Sequence, residues 1–524
     1  MIRVLSAAAL AALSPGQVAA ATDSSPHVIL VDVSKTVGTL KALRGVNGAP
    51  DMRFAGEAGA HAHQLPRPLD LAAAYRLAAI NLVRTHDSLA ANIDSTQGSL
   101  PSIFPPGVRP GGAGAVPVSA LLIFPDPTAN PEDPRNYNFG PTDELVKGIR
   151  DIGADVVFRL GRDGGTTAPP PHDLARYADI IRHIVLHYNK GWDHGLQSSV
   201  RYFEVWNEPD LGKIWWRGSS EDYYHLYEAA SKAVKSADAG ALVGGPTIAM
   251  VNALSPYREG FLEFAEKQRL PLDFFSWHYY SEANDPFDFV RIARTMRSLL
   301  DAHGYAHTLS SLDEWNAALG PARLKDPDHA AFLTSALIYM EDAPVDQEEL
   351  YRADGDFGAD GSSPSKVGQA LIAWGKLKAT PLRLKASGDD DKGFAVLGAK
   401  SRDGRTVQIL VSNYEIPADQ RGPRPGGDVW DEHGLFKMAL LPRRSVTYAH
   451  SGAYSLRVTG LRQGRSYTVE RFGLSSADDW KLVETRSFSG PRLSLSAPLQ
   501  PPSVELIVIK ADAPGKSTSR GKTE

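Results

Sequence analysis

Eight times between residues 41 and 382 a short run of β-branched and aromatic residues precedes a longer amphipathic stretch, and this alternation constrains the fold more than any other feature. The runs are LRGVNG (43–48), INLVRTH (80–86), DVVFRLG (155–161), RYFEVWNE (201–208), ALVGGPT (241–247), DFFSWHYY (273–280), TLSSLDEW (308–315) and QEELYRA (347–353). Between the third and fourth, Leu174, Tyr177, Ala178, Ile181, Ile184, Val185 and Tyr188 fall at helical spacing and form one apolar stripe. Weaker stripes follow the other runs. Eight parallel strands, each with its helix, predict an α/β fold, a (β/α)8 TIM barrel over residues 41–382.

The flanks read differently. From 383 to 511 the helical period disappears and runs such as TVQILVSNY and SVELIVIK alternate with turns such as RDGR, predicting an accessory β-sandwich domain. HVILVDV (27–33) has the same character, so residues 22–40 are expected to add a strand to that sandwich. The segment after the second barrel strand, roughly 88–141, is rich in proline and glycine and is expected to fold over the barrel mouth. Residues 512–524 lack apolar side chains and are expected to be disordered.

At the N-terminus Arg3 precedes an apolar run that ends in the small residues around Val18, Ala19 and Ala20, the layout of a signal peptide over 1–21. A secreted or periplasmic protein is the expectation. No stretch reaches the roughly 20 apolar residues of a membrane helix. The chain has no cysteine, which excludes disulfides, thiolate nucleophiles and sulfur-ligated metals. With 56 lysines and arginines against 61 acidic residues, the net charge of −5 exerts no pull toward nucleic acid.

Reactive groups of such a barrel sit at the C-terminal ends of its strands. Two glutamates fall there: Glu208 closes the fourth run ahead of Pro209, which offers no backbone N–H, and Glu314 closes the seventh. Two carboxyls across a pocket suit glycosidic cleavage, one giving a proton to the leaving oxygen while the other meets the oxocarbenium-like carbon. Burial and mutual repulsion would raise the acid, and hydrogen-bond donors would keep the nucleophile ionised. Asn207 can hydrogen-bond a hydroxyl beside Glu208, and His278 and Tyr280 share one face at the end of the sixth run.

Plainer roles stand beside these. A lone glutamate at a strand end is often a cap or an ion-pair partner, and His278 or Tyr280 singly could be satisfied core groups. Glu204 lies deeper than Glu208 and reads as a buried partner of Arg84. Asp313 alternates away from Glu314 and reads as packing or capping. Trp215 and Trp216 fit either a sugar platform or plain packing. No ligand cluster suggesting a metal is apparent, and no cofactor is expected.

FEVWNEPDL, DFFSWHYY and LDEWN, in that order, together with NYNFGPTDELVKGIRDIGADVVFRLG, resemble glycoside hydrolase family 39 over roughly residues 40–380. The resemblance implies Glu208 as general acid/base, Glu314 as nucleophile, and Asn207, His278, Tyr280, His86 and Trp315 as substrate contacts, in a retaining mechanism. RTHD departs from the glycine-containing form expected after the second strand. LYRADGDFGADG replaces the tryptophan-containing stretch usual after the eighth. The implied substrate is a terminal β-D-xyloside of a xylo-oligosaccharide. An α-L-arabinofuranoside, another pentoside, an exopolysaccharide, a transglycosidase and a non-catalytic carbohydrate-binding protein stay open as alternatives.

Overall fold

A computed structural model describes residues 25–50, 70–86, 88, 91–93, 122–161, 170–251, 255–319, 322–352, 355–357, 364–430, 437–440, 442–448 and 452–512. The proposed signal segment, most of the proline- and glycine-rich connection and nearly all of the tail lie outside these residues.

After β1 (His27–Thr39) come the eight barrel strands: β2 (Gly45–Asn47), β3 (Leu82–Arg84), β4 (Asp155–Leu160), β5 (Tyr202–Val205), β6 (Leu242–Ile248), β7 (Phe274–Ser281), β8 (Leu309–Ala317) and β9 (Gln347–Leu350). They pair in parallel, in chain order, and β9 closes on β2. All eight expected strands are present. The fourth stops at Val205 instead of Glu208, because Trp206 (φ 75°) and Glu208 (φ 43°) enter the left-handed region and leave the ladder.

The outer helices are α1 (Ala72–Leu77), α2 (Gly140–Asp151), α3 (Leu174–Lys190), α4 (Ser220–Ala237), α5 (Phe261–Gln268), α6 (Asp288–Ala302), α7 (Asp328–Met340) and α8 (Lys366–Lys376). The start of α3 is fixed by Asp173, whose side chain accepts the Arg176 N–H, and its end by Gly191 at φ 75°. Helix α7 is buried from His329 to Met340, with no polar face. Contacts on both sides explain this: α7 packs on the barrel and also against the second sheet, where Ser412 Oγ donates to Ala331 O and Ser335 Oγ to Gly393 O. Gly45 admits no side chain, since a Cβ there would lie 1.9 Å from the Glu348 carbonyl oxygen of the closing strand.

Beyond the barrel run β10 (Leu382–Ser387), β11 (Phe394–Lys400), β12 (Thr406–Asn413), β13 (Gly427–Trp430), β14 (Lys437–Leu440), β15 (Ala453–Thr459), β16 (Ser466–Ser475), β17 (Lys481–Ser489), β18 (Leu493–Pro498) and β19 (Ser503–Ala511). β13 and β14 form a separate hairpin, and the others join β1 in one sheet ordered β17-β16-β19-β12-β11-β10-β1-β15-β18. The sheet folds over a core in which Ile409 and Ile507 from one half share a cluster with Tyr454, Leu456 and Leu493 from the other. The hinge is β1, antiparallel to β10, parallel to β15, and irregular between Asp32 and Gly38. Among the described residues no helix is long and apolar enough to cross a membrane.

Candidate active site

Arg84, at the end of β3, organises the floor of the barrel mouth. It is fully buried and spends every nitrogen on a partner: Nε donates to Glu204 Oε2 at 2.6 Å, Nη1 to Glu314 Oε2 at 3.1 Å and to Asn47 Oδ1 at 3.3 Å, and Nη2 to Asn207 Oδ1 at 2.8 Å. Burial opposes its charge, but Glu204, Asp313 and Glu314 together raise its pKa further above the ordinary arginine value. Glu204 is thus the buried partner of Arg84 expected of it. Asn47, at the end of β2, drew no notice in the sequence, although an asparagine closing a barrel strand was the available signal.

Glu208 and Glu314 meet above this floor. Each is nearly buried, and one carboxylate oxygen of each lies with an imidazole nitrogen of His278 in a trio whose atoms are all within 4.8 Å of one another. Facing carboxylate oxygens within 4.8 Å suit direct attack on the sugar, for which the two carboxyls stand about 5–5.5 Å apart. Glu208 is aimed by strained backbone: with φ 43° and ψ 53°, its N–H is held by Thr247 O at 3.1 Å and Thr247 Oγ1 at 3.2 Å, and Thr247 itself has φ 57°. Asp210, just beyond, accepts the N–H groups of Ala249 and Met250 and ties the loop to the end of β6.

The two carboxyls have different neighbours. His278 Nδ1–H donates to Glu208 Oε1 at 2.9 Å and lies 3.7 Å from Glu314 Oε2. Glu314 Oε1 accepts from the Tyr280 hydroxyl at 2.6 Å, while its Oε2 faces Arg84 and, at 3.7 Å, His86 Nε2. Burial works against charge on His278, but Glu314, Asp313 and the hydrogen bond to Glu208 hold the imidazole protonated well above its ordinary value. His86 goes the other way: burial and the cations Arg84, Arg159, His278 and Arg352 keep it neutral.

Burial pushes the Glu314 carboxyl up to about 7. His278 opposes this, Glu208 adds to it, and Arg84 and the Tyr280 hydroxyl again oppose it. The expectation that donors would dominate at this residue is therefore not met, because dehydration outweighs them.

A bulge in β8 corrects two further expectations. Opposite β7, Trp277 pairs with Leu312 and the next residue, His278, pairs with Glu314; opposite β9, only Glu349 lies between the partners of Leu312 and Trp315. Asp313 is the extra residue, so it does not alternate away. It turns into the barrel beside Glu314, within 3.4 Å of both Arg84 Nε and His278 Nε2. Trp315, expected at the substrate, consequently faces outward. It is fully buried, donates Nε1–H to Glu348 Oε2 at 2.6 Å and meets the Phe289 ring of α6 edge-on at 5.0 Å.

The remaining predicted residues fall at the mouth. The Asn207 side-chain NH2 is buried with no hydrogen-bond partner, so it stands available to a ligand hydroxyl. His86 belongs to an aromatic arc, with ring centroids 5.9 Å from Trp215 and 6.1 Å from Tyr351, and Tyr351 is 6.2 Å from Tyr280. The tryptophan pair divides: Trp215 is half-buried on this arc, whereas Trp216 packs on Trp206 and Tyr223 in the core. Tyr351 stands where the sequence lacks the tryptophan-containing stretch and was not singled out there. Glu208, His278 and Glu314 also form the one group among the described residues spaced as metal ligands. No ligand spacing along the chain points to a metal here, since the three come from the ends of three different barrel units; Arg84 and Tyr280 already engage Glu314.

The model of glycosyl hydrolases family 39 matches residues 159–337, which contain β5, β7 and β8. Over 186 residues the chain is 30% identical to a β-xylosidase of Geobacillus stearothermophilus, covering 32% of this chain and 36% of that protein. Over 285 residues it is 27% identical to a β-xylosidase of Caldicellulosiruptor saccharolyticus, covering 47% and 55%. The match thus spans from about a third to about half the length of these relatives. A crystal structure of a glucosidase from Croceicoccus marinus superposes with a TM-score of 0.78 at 30% identity, covering 93% of this chain and all of that one.

Proposed function

The chain belongs to glycosyl hydrolases family 39, and on that premise we propose that it is a retaining exo-glycosidase releasing terminal β-D-xylosyl residues by double displacement. The observation that carries this reading is the close approach of Glu208 and Glu314, within 4.8 Å, with unlike partners. Glu314, oriented by Tyr280 and Arg84, attacks the anomeric carbon while Glu208 protonates the departing oxygen. Glu208 then takes a proton from the water that releases the glycosyl ester, and two inversions retain the configuration. Asn207 and neutral His86 are suited to sugar hydroxyls, and Trp215 and Tyr351 to the apolar face of a ring.

A β-glucoside is the second reading, supported by the match to the Croceicoccus marinus glucosidase along its whole length. Both readings are tested with a panel of 4-nitrophenyl β-D-xyloside, β-D-glucoside and α-L-arabinofuranoside. The expected result is a kcat/KM for the xyloside at least tenfold above the others. Preference for the glucoside selects the second reading, and tight glycan binding without turnover of any member defeats both in favour of a carbohydrate-binding protein.

The position of Glu314 makes the pH profile informative. Below pH about 7 a protonated Glu314 cannot attack, so kcat/KM should fall on the acid side. The Tyr280 hydroxyl favours the charged carboxylate; Tyr280→Phe should therefore move that limb to higher pH, by about half to one pH unit. A limb that stays in place or moves to lower pH would refute the assignment.

A further inference from the structure

The inward turn of Asp313 has no role in the two-carboxylate scheme. The bulge sets this carboxylate directly beneath the catalytic pair, fully buried, with Asn47 Nδ2 donating to its backbone carbonyl at 2.9 Å to fix the distorted strand. Its side chain meets charged or titratable groups from four other strands: Arg84 of β3, Glu204 of β5, His278 of β7 and Glu349 of β9. Burial raises the carboxyls of Glu204 and Glu349 well above their ordinary values, although Arg84 opposes this at both. For Asp313 itself burial is outweighed by Arg84, Glu204 and His278, and the carboxylate stays ionised.

His278 spans the two levels of the site. Its Nδ1 serves Glu208, and its Nε2 is buried, makes no hydrogen bond and faces Asp313 Oδ1 at 3.4 Å. We propose that Asp313 is a positioning residue of this site, fixing the charged imidazole of His278 against Glu208 through both halves of the double displacement. The proposal rests on the retaining glycosidase reading given above.

Its distinctive consequence lies in the second half. While Glu314 is a free carboxylate it also supports the imidazolium, from 3.7 Å. Once Glu314 is bonded to the sugar that charge is gone, while Glu208, having given up its proton, is a carboxylate 2.9 Å from Nδ1; without the charge of Asp313 the ring proton would pass to Glu208 and disable the base. Glu208 must then accept the proton of the attacking water at one oxygen while the other is held by Nδ1–H. Loss of Asp313 should therefore impair hydrolysis of the glycosyl-enzyme more than its formation.

The test is Asp313→Asn in the full chain, assayed on an aryl glycoside with a good leaving group. The expected result is a kcat lower by about 10- to 100-fold, the range for a residue that orients a catalytic group through a neighbour. KM should fall in parallel, a burst of about one aglycone per site should appear, and the alkaline limb of kcat should move to lower pH. Asp313→Glu, which keeps the charge, should restore that limb. A folded Asp313→Asn protein with kcat, KM and both limbs within about twofold of the parent overturns the proposal.

Nitrogen-15 NMR of the His278 ring gives a reading independent of turnover and of whether the variant folds. In the wild-type protein the ring should carry both protons at pH 7, and a neutral ring overturns the proposal. Absence of turnover in the wild-type protein would instead count against the glycosidase reading, with the NMR result still deciding the role of Asp313.

Discussion

Glu314→Ala is expected to lower kcat/KM for the preferred aryl glycoside by on the order of 10³- to 10⁵-fold, about 4–7 kcal/mol of transition-state stabilisation. The loss is large because no other carboxylate can take over. Glu204 and Asp313 lie deeper, both bound to Arg84, and Glu208 is committed to proton transfer. The space left by the side chain should admit azide, which attacks the anomeric carbon once and cannot be displaced by the enzyme. Added azide should therefore restore turnover and give a glycosyl azide of inverted configuration. Rescue that yields the retained anomer would mean that Glu314 is not the attacking group.

Glu208→Ala should show the complementary pattern. With a leaving group that needs no proton, the first step proceeds and the glycosyl-enzyme accumulates, so kcat and KM should both fall steeply. With a natural disaccharide, whose leaving oxygen must be protonated, the loss in kcat/KM should reach on the order of 10³-fold or more. Azide should here intercept the ester and give the retained glycosyl azide. Equal losses on activated and unactivated substrates would contradict the acid/base role of Glu208. The opposite stereochemistry of the two rescues is a strong joint prediction, because a merely structural carboxylate would produce neither.

Much of this arrangement is legible in the sequence because barrel geometry converts position along a strand into depth in the site. Glu208 and Glu314 fall toward the C-terminal side of their barrel units, and the structure brings them together at the mouth; Glu204, four residues before Glu208 and on β5 itself, lies on the floor with Arg84. That inference uses only the alternation of side chains and the polarity of the barrel. It fails where alternation fails. One inserted residue in β8 turns Asp313 inward and sends Trp315 to the helix layer, and no local pattern in LSSLDEWN announces it.

Burial energetics were the other blind spot. Whether Glu314 is held ionised depends on counting donors from β3 and β7 against the dehydration of the whole pocket, and strand spacing carries no such count. The aromatic arc is a similar case, since His86, Trp215 and Tyr351 come from three separate connections and become neighbours only when the barrel closes. The single order of the second sheet also depends on a long-range pairing, with β1 joining β10 and β15 across more than half the chain.

The most direct test is to trap the enzyme with a 2-deoxy-2-fluoro glycoside bearing an activated leaving group, which slows release of the ester more than its formation, and to locate the label by peptide mass spectrometry. The expected result is one glycosyl unit per chain on Glu314, with release on addition of a sugar acceptor. A label on any other residue, or no label from a substrate whose first product is of inverted configuration, would contradict the account.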